Sequence, residues 1–468
     1  MFKLQIKYLS FFFGIVSILS FFNILYSYYF NLYLNLDTYY YTLATSFILF
    51  IALFKFGNYN IKSNIFQKIL TIFLGYLLIP LVLSIPFYFS IYNLTFSNSF
   101  FESISGFTST GFTVFDNIKL IDQSLIIWRS SIQWIGGLYF LFSIIYLIDI
   151  YDDSFKKTLT NFISFNSSEI LKQAAKIFIL YSSLTILIFI ILNIFSIRTF
   201  DSLNLSLTII SSGGFLPVNE LSSIIKEDIQ IIIFSFLMLI SFFSLFFSYN
   251  LIFLRKKNIN FFYEDLHLFV YLAIVITIFF LFFSFNNDFF TNLFAIVSSM
   301  TNIGFSLSPG QENLNFIYLI LVIIGGSFFS TSSGLRFIKI YSLFKFSLNQ
   351  ILSFSRPKNV FMNRLIFTKI NFNLDEINKY FLTIIIFIIS LFILVSLLSL
   401  SGITFINSFK LSILTLMNTV NSSIYGLNEF DFYNLQLFSK YCLIFFMIVG
   451  RIELLTILLL IKKFLFKN

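Results

Sequence analysis

The chain has 468 residues, of which 58% are hydrophobic and only 11% charged, and its mean hydropathy is +0.91. These values exclude a soluble globular protein and define an integral membrane protein. The formal net charge of +9 is divided among short loops, where it meets anionic lipid and offers no continuous surface for nucleic acid.

Taken in order, apolar stretches long enough to cross about 30 Å of hydrocarbon are expected near residues 8–30, 38–56, 66–92, 122–150, 172–197, 226–254, 264–286, 314–345, 378–400 and 435–462. The first is preceded by Lys3 and Lys7 and closed by Tyr26, Tyr28 and Tyr29, so it reads as a spanning helix with an interfacial aromatic belt and not as a cleaved leader. Lys and Arg concentrate on one face: Lys55, Lys62 and Lys68, then Lys156, Lys157, Lys172 and Lys176, then Arg255 to Lys257, then Lys345 to Lys379, then Lys462, Lys463 and Lys467. The opposite face carries only a few, such as Lys119, Arg198, Lys226 and Lys410, which places both termini on the cytoplasmic side.

Between the third and fourth, fifth and sixth, seventh and eighth, and ninth and tenth spans lies a polar, Gly-containing segment that enters from outside. The copies are Phe101 to Asp116 (FESISGFTSTGFTVFD), Leu207 to Glu220 (LTIISSGGFLPVNE), Ala295 to Glu312 (AIVSSMTNIGFSLSPGQE) and a degraded fourth, Leu414 to Glu429 (LTLMNTVNSSIYGLNE). Gly-Phe recurs at Gly111-Phe112, Gly214-Phe215 and Gly304-Phe305. Irregular backbone at membrane depth is tolerated only where protein buries it or where it lines an aqueous cavity. Each copy is therefore expected to hold a short descending helix, capped at Asn98 or Ser99, Asp201 or Ser202, Asn287 or Asp288, and Asn407 or Ser408. The negative end of each such helix would face a shared axis and favour a cation there. A glycine turn then returns the chain outward with carbonyls facing in, and the Phe packs away from the axis. Acidic residues follow each turn, Asp116, Glu220, Glu312 and Glu429 with Asp431, and around an outer vestibule they would concentrate cations.

Cys442 forms no intramolecular disulfide, and no Cys or His cluster has the spacing of a metal site. His267, the single histidine, stands at the inner edge of a span without a partner nucleophile, so no enzyme is expected. A repeat-built secondary transporter stays open as an alternative, although such proteins bury ionisable groups at the midplane and these spans carry hardly any apart from Arg451 and Glu453.

Three further motifs carry a family resemblance: Trp128 to Gly137 (WRSSIQWIGG), Gly325-Gly326-Ser327 with Ser330 to Lys339 (STSSGLRFIK), and Gly450-Arg451-Ile452-Glu453. With the four loops, they resemble the Trk/Ktr/HKT superfamily of cation transporters over nearly the whole chain, in the branch that adds two helices before the repeats. The resemblance implies an all-α integral membrane fold of about ten transmembrane helices, with four pseudo-repeated helix–pore loop–helix units around a central pore. It implies a two-helix extension over 1–60 and pore repeats over 61–157, 158–258, 259–365 and 366–468. A selectivity filter that takes potassium as substrate would form from Thr110, Gly111, Ser212, Gly213, Gly214, Asn302, Ile303, Gly304, Val420 and Asn421, with no resident cofactor. Asn421 would stand at the fourth filter glycine's place, where its side-chain carbonyl could substitute; that departure leaves a sodium-permeable or weakly selective relative as an alternative.

Gly325, Gly326, Ser327, Ser332, Ser333 and Gly334 would form an obstructing loop beneath the filter, and Arg451 a positive barrier to permeating cations. The resemblance further implies a bacterial cytoplasmic-membrane protein, a homodimer, and a separate cytoplasmic nucleotide-binding regulatory subunit of TrkA type. No Gly-rich loop after a strand supplies such a domain within this chain.

Overall fold

The computed structural model describes residues 7–56, 64–147, 170–253, 263–283, 289–308, 314–354, 374–427 and 430–452. Helices dominate, because apolar side chains cover the lipid face while backbone groups bond within each segment. Helices α1 (Lys7–Tyr29) and α2 (Leu36–Phe56) form an antiparallel hairpin joined by Ser17 Oγ and Ser46 Oγ at 2.8 Å. The hairpin docks on the start of α6 (Gln123–Tyr146), where Tyr39 donates to Ser124 Oγ at 3.1 Å and Asn23 to Ser124 O at 3.4 Å.

Four units follow. The first is α3 (Ile65–Leu83) with its short continuation α4 (Ile85–Tyr88), the short helix α5 (Phe96–Phe107) and α6. The second is α7 (Ile170–Ile194), the short helix α8 (Thr199–Ile210), and α9 (Asp228–Phe242) with α10 (Leu245–Ile252). The third is α11 (Tyr263–Phe283), the short helix α12 (Phe289–Met300), and α13 (Asn315–Ile323) with α14 (Phe337–Ser353). The fourth is α15 (Leu374–Leu400), the short helix α16 (Phe405–Leu416) and α17 (Leu437–Ile452). The closing helix of each unit packs on the short helix of the next: α6 on α8, α9 on α12, α13 on α16, and α17 back on α5. The units thus close a ring in the order 1-2-3-4.

Among the described residues, six helices are long and apolar enough to cross a membrane: Lys7–Tyr29, Leu36–Phe56, Ile65–Tyr88, Lys172–Ile194, Tyr263–Phe282 and Glu376–Leu400. All six are in the extension or open a unit. The helices that close the units are different in kind. Helix α6 has 24 residues, carries Arg129 and Gln133 and is buried from Ser124 to Tyr146, facing protein and not lipid.

The sixth span, expected as continuous, is broken, and the eighth is interrupted where the resemblance implies a loop. The sixth parts at Phe243–Ser244, where Ser244 Oγ accepts from Phe247 N at 3.2 Å and starts a new helix, and Asp265 accepts both Ser244 N (2.8 Å) and Ser244 Oγ (2.7 Å). The eighth parts between α13 and α14, where a loop is pinched by a two-residue parallel bridge pairing Ile324 with Leu335 and Gly325 with Arg336. The two breaks serve each other: Ser327 N and Ser332 N donate to Phe242 O (3.0 Å) and Ser241 O (3.1 Å), while Leu245 N donates to Phe329 O (2.9 Å). Carbonyls that end one broken helix are satisfied by the loop that breaks the other.

Candidate functional site: four loop ends on one axis

Three of the four short helices, the first, second and fourth, start earlier than their sequences suggest. The residues flanking the first turn are Thr95, Arg198 and Thr404, so Asn98, Ser99, Asp201, Ser202, Asn407 and Ser408 lie inside the helices and are not their caps. At Thr95 the side chain does accept from Asn98 N, at 3.4 Å. Asn287 and Asp288 lie outside the described residues.

At the other end the four units agree closely. Each short helix is followed by a non-glycine residue in the left-handed region: Ser109 (φ 59°), Ser212 (φ 55°), Asn302 (φ 59°) and Asn418 (φ 47°). Such a residue just past a helix end turns the chain away from the axis of the helix. The same bond then recurs, from Thr110 N to Ser105 O (2.9 Å), Gly213 N to Thr208 O (2.8 Å) and Thr419 N to Leu414 O (2.9 Å). In this register the residue level with Gly111, Gly214 and Gly304 is Val420. Asn421, expected at that level, stands one residue further out, half-buried, and donates its amide to Leu427 O at 3.1 Å.

The loop ends are laced together. Ser212 Oγ donates to Thr301 O (2.6 Å), Asn302 Nδ2 to Thr419 Oγ1 (3.3 Å), and Asn418 Nδ2 to Thr110 Oγ1 (3.0 Å). Thr110, Gly111, Ser212, Gly213, Gly214, Asn302, Ile303, Gly304 and Val420 are all buried and fall in this one cluster. The phenyl groups of Phe112, Phe215 and Phe305 are buried behind it.

Behind the first two loops lies a buried ion pair that sequence spacing did not reveal. Arg129 Nε meets Glu102 Oε1 at 2.9 Å, with both side chains at 1% exposure or less. Glu102 also accepts from Thr113 Oγ1 (3.1 Å) and Val114 N (2.9 Å), and Arg129 reaches Thr113 Oγ1 (2.9 Å) and Leu216 O (3.4 Å) while lying 4.2 Å over Phe215. Gln133 accepts from Phe215 N at 3.2 Å. Arg129 and Gln133 both belong to the 128–137 motif, which was the available signal; Glu102 had none beyond its place in the first loop.

Above the cluster opens a cavity of about 390 Å³ lined by Gly111, Gly214, Val420 and Asn421 below and by Asp116 and Asp431 at its walls. Glu220 is exposed beside it and does not line it, and Glu312 and Glu429 lie outside the described residues. One-sided burial raises the carboxyl pKa of Asp431, but the N–H groups of Asn434 and Tyr433, the Asn434 amide and Lys440 outweigh it and hold the group below the usual carboxylate range.

Beneath the cluster, Gly325, Gly326, Ser327, Ser332, Ser333 and Gly334 form the loop between α13 and α14. Thr331 Oγ1 donates to Ile210 O at 2.7 Å and Ser332 Oγ to Asn302 Oδ1 at 2.8 Å, so the loop is seated on the ends of two short helices. Arg451 joins all three pieces: its guanidinium donates to Ser333 Oγ, to Ser109 Oγ at 3.2 Å and to Ser211 O at 3.5 Å, and lies 4.2 Å over Phe140. Its cationic group therefore occupies the point where the negative helix ends converge. Glu453, the other charge expected there, is outside the described residues. Glu264, not singled out by sequence, accepts from Phe328 N at 2.9 Å and anchors the far side of the loop.

Four helix–loop–helix units converging on one laced ring, with a cavity above and a loop and an arginine packed beneath, define a multi-pass membrane protein. No family model matches the chain. It is 27% identical over 302 residues to an uncharacterized cation transporter of Methanocaldococcus jannaschii, an alignment spanning 61% of this chain and 60% of that one, so it covers less than two thirds of that relative's length. It is 24% identical over 405 residues to the Trk system potassium uptake protein TrkH of Escherichia coli, covering 81% of each. The fold matches the crystal structure of the potassium transporter TrkH from Vibrio parahaemolyticus with a TM-score of 0.81 over 98% of each chain, at 20% identity. The resemblance expected from the motifs holds: the chain is similar to Trk system potassium uptake proteins over most of its length and shares the fold of the TrkH structure.

Proposed function

We propose that this protein carries potassium inward across a bacterial cytoplasmic membrane, through the axis on which the four loops converge. The observation that carries the reading is the ring itself: four short helices end at one level and their returning loops are hydrogen-bonded to one another, as a filter of backbone carbonyls requires. Several relatives similar over most of the chain bear the name of potassium uptake proteins. Thr110, Gly111, Ser212, Gly213, Gly214, Asn302, Ile303, Gly304 and Val420 form the filter in this reading, with potassium as substrate and no resident cofactor. Asp116 and Asp431 draw cations into the cavity above. The loop from Gly325 to Gly334 and Arg451 form the gate, because a fixed positive charge in a low-dielectric passage repels a permeating cation. The positive-inside distribution supports a cytoplasmic side for both termini, and the family resemblance supports a homodimer with a separate nucleotide-binding regulator of TrkA type.

The test is rubidium and sodium tracer uptake into liposomes holding the purified protein, with Arg451→Ala alongside. Rubidium uptake that potassium suppresses and sodium does not, increased by Arg451→Ala, is the expected result. Equal sodium uptake would move the protein to the weakly selective relatives, and no uptake of either ion by either form would overturn the reading.

A further inference from the structure

At the level of Gly111, Gly214 and Gly304 the fourth loop presents a side chain, and its position is unambiguous. A Cβ built on Gly214 would overlap Val420 Cβ and come within 2.9 Å of Val420 Cγ1 and Cγ2. A Cβ built on Gly304 would come within 2.9 Å of Val420 Cγ1, and one on Gly111 within 2.8 Å of Gly214 Cα. In a ring ordered 1-2-3-4, loops 2 and 4 are diagonal partners. Direct contact between Gly214 and Val420 therefore crosses the axis, and the isopropyl group occupies the middle of the ring.

The backbone explains why a valine is accepted here. Gly111 and Gly304 have φ of 84° and 82°, a region closed to β-branched residues, whereas Gly214 and Val420 do not have positive φ. Loops 1 and 3 also share a brace absent from the other two, Ser105 Oγ to Phe112 O (2.6 Å) and Ser298 Oγ to Phe305 O (2.8 Å). The fourth position thus has no conformational need for glycine. Gly214 is glycine because its missing side chain is the space that Val420 fills.

We propose that Val420 is the constriction of the cation path, a hydrophobic group on the filter axis that limits flux and sets the upper size of the ion that passes. This rests on the reading of the ring as a filter. A branched aliphatic group offers a cation no oxygen in exchange for its lost hydration shell and blocks approach to the carbonyls behind it. Removing it opens the ring most for the largest ion, so the gain on removal rises from sodium to rubidium to caesium. A general loosening of the protein would raise all three alike.

The experiment compares Val420→Gly, Val420→Ala and Val420→Ile in liposomes, each also in an Arg451→Ala background so that the lower barrier does not mask the upper one. In that background Val420→Gly is expected to raise rubidium uptake on the order of tenfold, Val420→Ala by less, and Val420→Ile to lower it, with caesium gaining more than rubidium and rubidium more than sodium. Rubidium uptake by Val420→Gly and Val420→Ala equal to that of Arg451→Ala alone overturns the proposal, as does an equal gain for all three ions. Because Val420→Gly can be poorly folded, Val420→Ala with an unchanged monodisperse elution profile decides the matter if the glycine variant is lost. No uptake by any form, Arg451→Ala included, would instead sink the cation-path reading on which the proposal stands.

Discussion

Replacing Glu102 by glutamine is the sharpest test of how the proposed filter is held. The substitution is nearly isosteric, so packing around the side chain is kept, but it leaves Arg129 as a charge at 1% exposure without its counterion. Glu102 serves two loop atoms, Thr113 Oγ1 and Val114 N, as well as Arg129, while Arg129 extends the same network to Leu216 O and the face of Phe215. Breaking a buried pair by removing one partner costs about 3 to 5 kcal/mol, because the remaining charge is desolvated and uncompensated. Thermal unfolding of the detergent-purified protein should therefore shift down by on the order of 5 °C or more. Rubidium uptake should fall with it, since the first and second loops lose their common support. Removing both charges, as Glu102→Gln with Arg129→Met, should be less damaging than Glu102→Gln alone, because the orphaned charge is gone. If Glu102→Gln melts within a degree of the parent, or if the double variant is the less stable of the two, the ion pair does not have the role assigned to it.

Two other outcomes follow from the same geometry. Gly214→Ala should abolish monodisperse expression because its Cβ overlaps Val420, and a second substitution, Val420→Gly, should restore it; failure of that rescue would show that Gly214 is constrained by something other than Val420. The Asp431 carboxylate is held below its ordinary pKa in the folded protein, so its interactions are fully present above the unfolded value and are lost only as pH falls through the lowered one. Asp431→Asn should therefore reduce uptake at micromolar external rubidium, with the deficit shrinking at high ionic strength, while the parent keeps its uptake from neutral pH down to mildly acid pH. A deficit independent of salt would count against field focusing.

The large-scale plan was readable because lipid imposes it. Long apolar stretches alternate with Gly-containing interruptions, and any polar backbone placed among them has to turn inward. What sequence could not convey was register. The fourth loop has no Gly-Phe pair to mark its level, and Asn421 is expected there on the family resemblance alone; the recurring left-handed residue after each short helix, Asn418 in this loop, puts Val420 at that level instead. The helix starts were misplaced for a related reason: Asn98, Ser99, Asp201 and Ser202 have cap-forming side chains, yet Thr95 and Arg198 precede them and the first turns wind earlier. The broken sixth span was invisible because Phe243–Ser244 carries neither proline nor glycine, and its cause, the Asp265 carboxylate, lies on another helix. Glu102 and Arg129 meet only because α5 folds against α6, a contact no local pattern announces.

The reciprocal satisfaction of the two broken helices limits how a gate built from the 325–334 loop would move. Ser327 N and Ser332 N are spent on the carbonyls of Phe242 and Ser241, and Leu245 N on that of Phe329. A loop that swung away by itself would strand donors and acceptors on both sides in a buried place, at about 1 to 3 kcal/mol for each group left unpaired. Displacement of the 325–336 segment together with the 241–245 junction preserves those bonds and leaves to be exchanged the contacts to Ile210, Asn302 and Arg451 and those to Glu264 and Asp265. If the loop acts as the proposed gate, its opening is a concerted motion of parts drawn from two different units, and a force applied to α10 would reach the loop without passing through the ring of loop ends.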